Sequence, residues 1–169
     1  VNDDDAAAVT AANLSTLGGK TAGTVTVTNA VAITGDHDQL TAALVTAGTK
    51  VEVSDASVTV NDDDATAITA AELSAIGGTT TGTVTVTNAV AITGTTAEVT
   101  AALVTAGTKV EVSDAAVTIT NTPTIAELNA IAAKTTGVVT ATLAADSLAN
   151  LAALNTAYRD KNKVTDKDA

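Results

Sequence analysis

The chain has 169 residues, of which 46% are hydrophobic, and a formal net charge of −11; it holds no Cys, Met, Trp or Phe, one Tyr, one Pro and one His. Ordinary cores lean on aromatic side chains that bury roughly 150–250 Å² each, so a chain built on Ala, Val, Leu and Ile calls for an interior that is thin everywhere. The missing Cys excludes a disulfide framework or thiolate metal site, and the acidic balance excludes a nucleic-acid binder, which needs Lys and Arg against phosphate.

In chain order, Asn2-Asp3-Asp4-Asp5 opens the sequence, and Thr10 with Asn13 reads as a weak helix start ended by Gly18. Thr24–Thr28 then alternates, Val25 and Val27 on one face and the three threonines on the other, and Val31 and Ile33 resume the pattern after Asn29-Ala30. Period two with β-branched residues predicts strands, and the polar–small pair predicts a bend. Asp36 with Gln39 starts a second short helix stopped by Gly48, and His37, between Asp36 and Asp38, reads as surface decoration. Val51 and Val53, then Val58 and Val60, alternate again across Asp55-Ala56 before a second acidic run, Asn61-Asp62-Asp63-Asp64. Thr69 with Glu72, Thr95 with Glu98 and Thr124 with Glu127 are full capping boxes, in which residues three apart satisfy each other's backbone N–H groups. Gly77 and Gly107 stop the first two of these helices. From Asp146 the alternation ends; Leu148, Leu151 and Leu154 behind Ser147 predict a closing helix, and Arg159–Ala169 a frayed charged tail.

The chain repeats itself. Val45–Ala56 recurs identically as Val104–Ala115, and Thr28–Gly35 as Thr87–Gly94, both at a shift of 59 residues. The helix starts at 10, 36, 69, 95 and 124 divide each unit into halves of about 26 and 33 residues. Helices of two or three turns do not persist alone in water, nor do strands of four or five residues, so both must be held by neighbouring copies. The predicted fold is a repeat solenoid, a parallel β-solenoid (β-helix) with short capped helices in each coil: one domain over residues 1–158, with a C-terminal capping helix from about 147 and a tail over 159–169. Stacking each half-unit on the next places Thr24, Thr26 and Thr28 beside Lys50, Glu52 and Ser54, and those beside Thr83, Thr85 and Thr87. Like charges would then lie two layers apart, roughly 9.6 Å from the strand spacing.

Several motifs in fixed order carry a family resemblance. Thr69-Ala70-Ala71-Glu72-Leu73-Ser74-Ala75-Ile76, Thr80-Thr81-Gly82-Thr83-Val84 and Ile92-Thr93-Gly94-Thr95-Thr96-Ala97-Glu98-Val99 resemble repeats of very large bacterial, cyanobacterial-type surface proteins, adhesin-like and hemolysin-type calcium-binding. Thr124–Ile131 followed by Thr135-Thr136-Gly137-Val138-Val139 is the closest stretch, and the resemblance covers most of residues 8–145. It implies an extracellular or cell-surface location, a structural or adhesive role and no enzymatic activity. The glycine–aspartate nonapeptide of calcium β-rolls is absent from the sequence.

Two binding readings stand beside the structural one. Asp3, Asp4 and Asp5, with Asp62, Asp63 and Asp64, could hold Ca²⁺, since hard cations want several oxygens; the alternative is a solvated acidic loop before a helix. The Thr rows at 24–28 and 83–87 are similar to the threonine arrays of ice-binding solenoids, but in the predicted stack Lys50, Glu52, Lys109 and Glu111 interrupt them. No phosphate loop or nucleophile elbow is present. No run of ~18 apolar residues predicts a membrane span, and no signal peptide is evident. Val1 aligns with Val60 inside a repeat, so the chain reads as a portion of something longer. The expected partners are neighbouring repeats or end-to-end copies.

Overall fold

The computed structural model describes residues 1–46, 48, 49 and 51–143, with the backbone of Asn162–Asp166. Five helices start at the residues that the capping pattern names. Thr10, Thr69 and Thr124 cap eight-residue helices α1 (Ala11–Gly18), α3 (Ala70–Gly77) and α5 (Ile125–Ala132). Asp36 and Thr95 cap α2 (His37–Leu40) and α4 (Thr96–Val99), which run on into π turns at Thr41–Val45 and Thr100–Val104. The π turns close through Thr46 N–H to Thr41 O and Thr105 N–H to Thr100 O, both 2.9 Å. The capping box is complete at Thr69, Thr95 and Thr124.

The strands are short and, in every pairing among the described residues, parallel. They are β1 (Ala8–Thr10), β2 (Val25–Val27), β3 (Ala32–Gly35), β4 (Val51–Val53), β5 (Ser57–Val60), β6 (Ala67–Thr69), β7 (Val84–Val86), β8 (Ala91–Gly94), β9 (Val110–Val112), β10 (Ala116–Ile119), β11 (Val139–Leu143) and β12 (Asn162–Asp166). One five-stranded sheet has the order β1-β3-β5-β7-β9, a second β12-β11-β10-β8-β6, and β2 pairs with β4. Each pairing joins residues 22 to 26 apart in the sequence. Strands β6, β8, β10 and β11 of the second sheet are β1, β3, β5 and β7 of the first shifted along the sequence by one repeat, with four residues dropped between Asn121 and Thr124 before β11. The fold is thus a mixed one, mostly parallel strands with few helices.

The apolar columns explain the register. Val9, Ile33, Val58, Val84 and Val110 align across the first sheet, and Ile68, Ile92, Val117 and Val139 across the second. From Ile33 onward all are buried, and with Leu14, Leu40, Leu73, Ile76, Leu128 and Ile131 from the helices they form one continuous core. A one-residue slip would turn every column to solvent, which fixes the pairing.

Two expectations are corrected. Glu52 lies beside Thr26 as expected, but Thr85 lies between Thr59 and Glu111, not beside Glu52. Val51/Val53 and Val58/Val60 offer the same alternation, so burial cannot choose between them. The longer half-unit adds the loop 61–66 and strand β6, and the sheet passes from β5 to β7. Asn162–Asp166, expected as frayed tail, pairs along its length with Val139–Leu143 and continues the sheet edge. Gly18 and Gly77 end α1 and α3 as expected, with negative φ. At Gly18 and Gly77 a Cβ would meet the carbonyl oxygens of Thr49 and Thr108, so close approach of backbone demands glycine there. The closing helix predicted from about 147 lies outside the described residues.

Candidate functional site

The two acidic runs fold as turns. Asp63 O accepts Thr66 N–H at 3.1 Å and Asp4 O accepts Ala7 N–H at 3.0 Å. Each turn is closed by an alanine in the left-handed region, Ala65 at φ 62° and Ala6 at φ 60°. Ala65 N–H donates to Ala89 O and Ala6 N–H to Ala30 O, both 2.9 Å, tying each turn to the segment that follows.

Within the second run the three carboxylates part company. Asp62 is buried: its Oδ2 accepts His37 N–H at 2.8 Å and its Oδ1 lies 2.6 Å from His37 Nδ1. Asp64 Oδ1 accepts Ala89 N–H at 3.0 Å, and Asp63 is exposed. In the first run Asp3, Asp4 and Asp5 are all exposed; the Asp3 carbonyl accepts from Asn29 Nδ2, as that of Asp62 does from Asn88 Nδ2. Among the described residues no group of three or more His, Asp or Glu side chains is arranged to hold a metal ion.

His37 is therefore no surface decoration. It is the first residue of α2, and Asp62, 25 residues on, satisfies the N–H that a helix start leaves without an intrahelical partner. Its Nε2 is 3.6 Å from Asp38 Oδ1. Burial disfavours its protonation, but the hydrogen bond and charge of Asp62, with the charges of Asp38 and Glu72, outweigh this and hold its pKa above the usual 6.5. An open cleft of about 430 Å³ lies over the pair, lined also by Asp36, Gln39, Asn61, Asp63 and Thr66. The next repeat builds the same tie without charge: Asn121 Oδ1 accepts Thr96 N–H at 2.7 Å and Thr96 Oγ1–H at 2.8 Å. The signal was present in the sequence as Asp62 and Asn121, each 25 residues after a first helical residue.

The carboxylates of the capping boxes share one electrostatic trait. Glu72, through the side-chain and then the backbone hydrogen bond of Thr69, and Glu98 and Glu127, through the backbone and then the side chains of Thr95 and Thr124, sit below the ordinary Glu pKa.

Outward threonines stand in line. Thr10, Thr34, Thr59 and Thr85 are register partners in the first sheet, followed by Glu111; Thr69, Thr93, Thr118 and Thr140 are partners in the second, followed by Lys163. Of the charges expected to interrupt threonine rows, Glu52 lies beside Thr26 and Glu111 beside Thr85, where it ends the first column. Beside the columns run Ala8, Ala32 and Ser57, and Ala67, Ala91 and Ala116. No described helix is long and apolar enough to cross a membrane. In comparisons with known proteins the chain matches no family model, no curated protein and no solved structure.

Proposed function

We propose that the chain is a non-catalytic structural repeat segment, a parallel β-solenoid serving as spacer, fibre or matrix element of a secreted or cell-surface protein. One observation carries this reading. The buried polar side chains among the described residues are Asp62, Thr80, Thr96 and Thr135. Each bonds a segment 20 to 25 residues away: Asp62 to His37, Thr80 to Ala56 O, Thr96 to Asn121 and Thr135 to Ala115 O. Asp62 also lines the open cleft, but both of its oxygens are taken up by His37, and all four side chains stitch neighbouring segments together. The extracellular location rests on the resemblance of the repeats. Inserting one further 59-residue copy between Thr59 and Val60 tests the reading. Small-angle scattering should show a particle longer by about 10 Å, two strand spacings, with unfolding still cooperative. A particle that grows equally in all directions would contradict it.

A binding role has one favouring observation, the unbroken threonine columns. Thermal hysteresis of the chain, lost on Thr59→Asn with Thr85→Asn, would establish a surface-binding module; none at millimolar chain removes ice as the ligand.

A further inference from the structure

The two copies of the repeat differ in what covers them. Ile76 on α3 is fully buried, whereas its counterpart Leu17 on α1 is 46% exposed. Ile68 is buried and Val9 only partly; Asp62 is buried and Asp3 exposed. Thr80 is buried with its hydroxyl on Ala56 O, and Thr21 is exposed. The glycines make the same point. A Cβ at Gly82 would lie 2.8 Å from Asp55 O, and one at Gly137 2.6 Å from Ala115 C, but at Gly23 only the Thr21 hydroxyl comes within 4 Å, at 3.7 Å. Gly23 thus has the residue type for a close backbone approach that nothing makes.

In the second copy the covering element is the preceding half-unit. Helix α3 packs against both π turns, Thr41–Val45 on one side and Thr100–Val104 on the other, while α1 packs against Thr41–Val45. Resting on the repeat reading, we propose that the face formed by Asp3, Val9, Leu17, Thr21 and Gly23 is a docking surface for one further copy of the 59-residue unit. Asp3 accepts from the first helical N–H of that copy, at the position of His37 or Thr96. Thr21 donates to the carbonyl at the position of Ala56, and Leu17 packs on the π turn. The interface is that between residues 37–56 and 62–82, continued by one unit.

The test joins a second copy of residues 1–59 ahead of Val1, which reproduces the Thr59–Val60 junction. In the extended chain, amide exchange at Gly23 should slow to the rate of Gly82 in the same molecule. Leu17→Asp and Asp3→Ala should lower its melting temperature while leaving that of the 169-residue chain within a degree or so, as expected of exposed sites. Exchange at Gly23 unchanged from the parent, or Leu17→Asp tolerated equally in both chains, would overturn the proposal. If the chain lengthened by an internal copy grows along one axis while this one shows no protection, the docking surface fails and the repeat reading stands.

Discussion

Asp62→Ala removes the tie between the loop 61–66 and the start of α2. The carboxylate accepts the His37 N–H at 2.8 Å and lies 2.6 Å from Nδ1, with side-chain exposures of 4% for Asp62 and 14% for His37, so solvent replaces little of what is lost. Loss of a capping acceptor costs about 1 kcal/mol, and loss of a hydrogen bond to a charged group about 1.5–3 kcal/mol, so the variant should lose about 2.5–4 kcal/mol. The repeat supplies its own control. His37→Thr with Asp62→Asn copies the Thr96–Asn121 pair and should recover most of that loss. The sign of the pH dependence follows from the raised pKa of His37: its stabilising contribution is complete below about pH 6.5 and disappears as pH rises through the folded-state value. Urea unfolding from about pH 5.5 to 9 should therefore show the parent weakening across that range and the double variant not. A flat parent profile, the same slope in the double variant, or a cost below about 1 kcal/mol for Asp62→Ala would refute the reasoning.

Gly107→Ala should stabilise the chain by about 0.4–1 kcal/mol, since its φ is negative and a Cβ would meet nothing within 4 Å. Gly82→Ala should destabilise by at least about 1–3 kcal/mol, because the new methyl meets the backbone of Asp55 and Ala56; chemical denaturation of the two variants checks the contrast. Thr69→Ala should cost about 1 kcal/mol of stability. It should also return Glu72 toward the ordinary carboxylate pKa, visible in its side-chain carbon shifts during an acid titration. In the parent the contributions of Glu72, Glu98 and Glu127 are present above the unfolded Glu value of 4.5 and are lost as pH falls through their lowered folded values. Ca²⁺ against chelator should leave the melting temperature unmoved, because both oxygens of Asp62 face His37 and Asp64 holds Ala89 N–H; a rise of several degrees would make the acidic turns a metal site.

The helix starts were legible because the cap is a local event. Thr69 and Glu72 find each other three residues apart whatever surrounds them. The strands β2 to β5 and β7 to β10 were legible for a similar reason, alternation being visible in the chain itself. Which strand lies beside which was not. The side-chain pattern of Val51-Glu52-Val53 equals that of Val58-Thr59-Val60, and only the length of the connection through 61–66 decides that β5 meets β7. Strands β1 and β6 were missed because three residues before a helix carry little periodicity. A signal existed nonetheless: Ala67-Ile68-Thr69 is the tripeptide Ala91-Ile92-Thr93, and the two pair in register. His37 was misjudged because its role depends on Asp62, a partner 25 residues distant that local sequence cannot place.

A chain without cysteine suits one decisive measurement of the strand order, on which the proposed stacking of repeats depends. Replacing Thr59 and Thr85 by cysteine puts the pair at register-matched positions of neighbouring parallel strands, about 4.8 Å apart, within reach of a disulfide. Under mild oxidation, mass spectrometry should find the intramolecular Thr59→Cys/Thr85→Cys crosslink in the folded chain, and none for Glu52→Cys/Thr85→Cys. The reverse outcome would mean that β4, not β5, lies against β7, and the arrangement of sheets described above would be wrong.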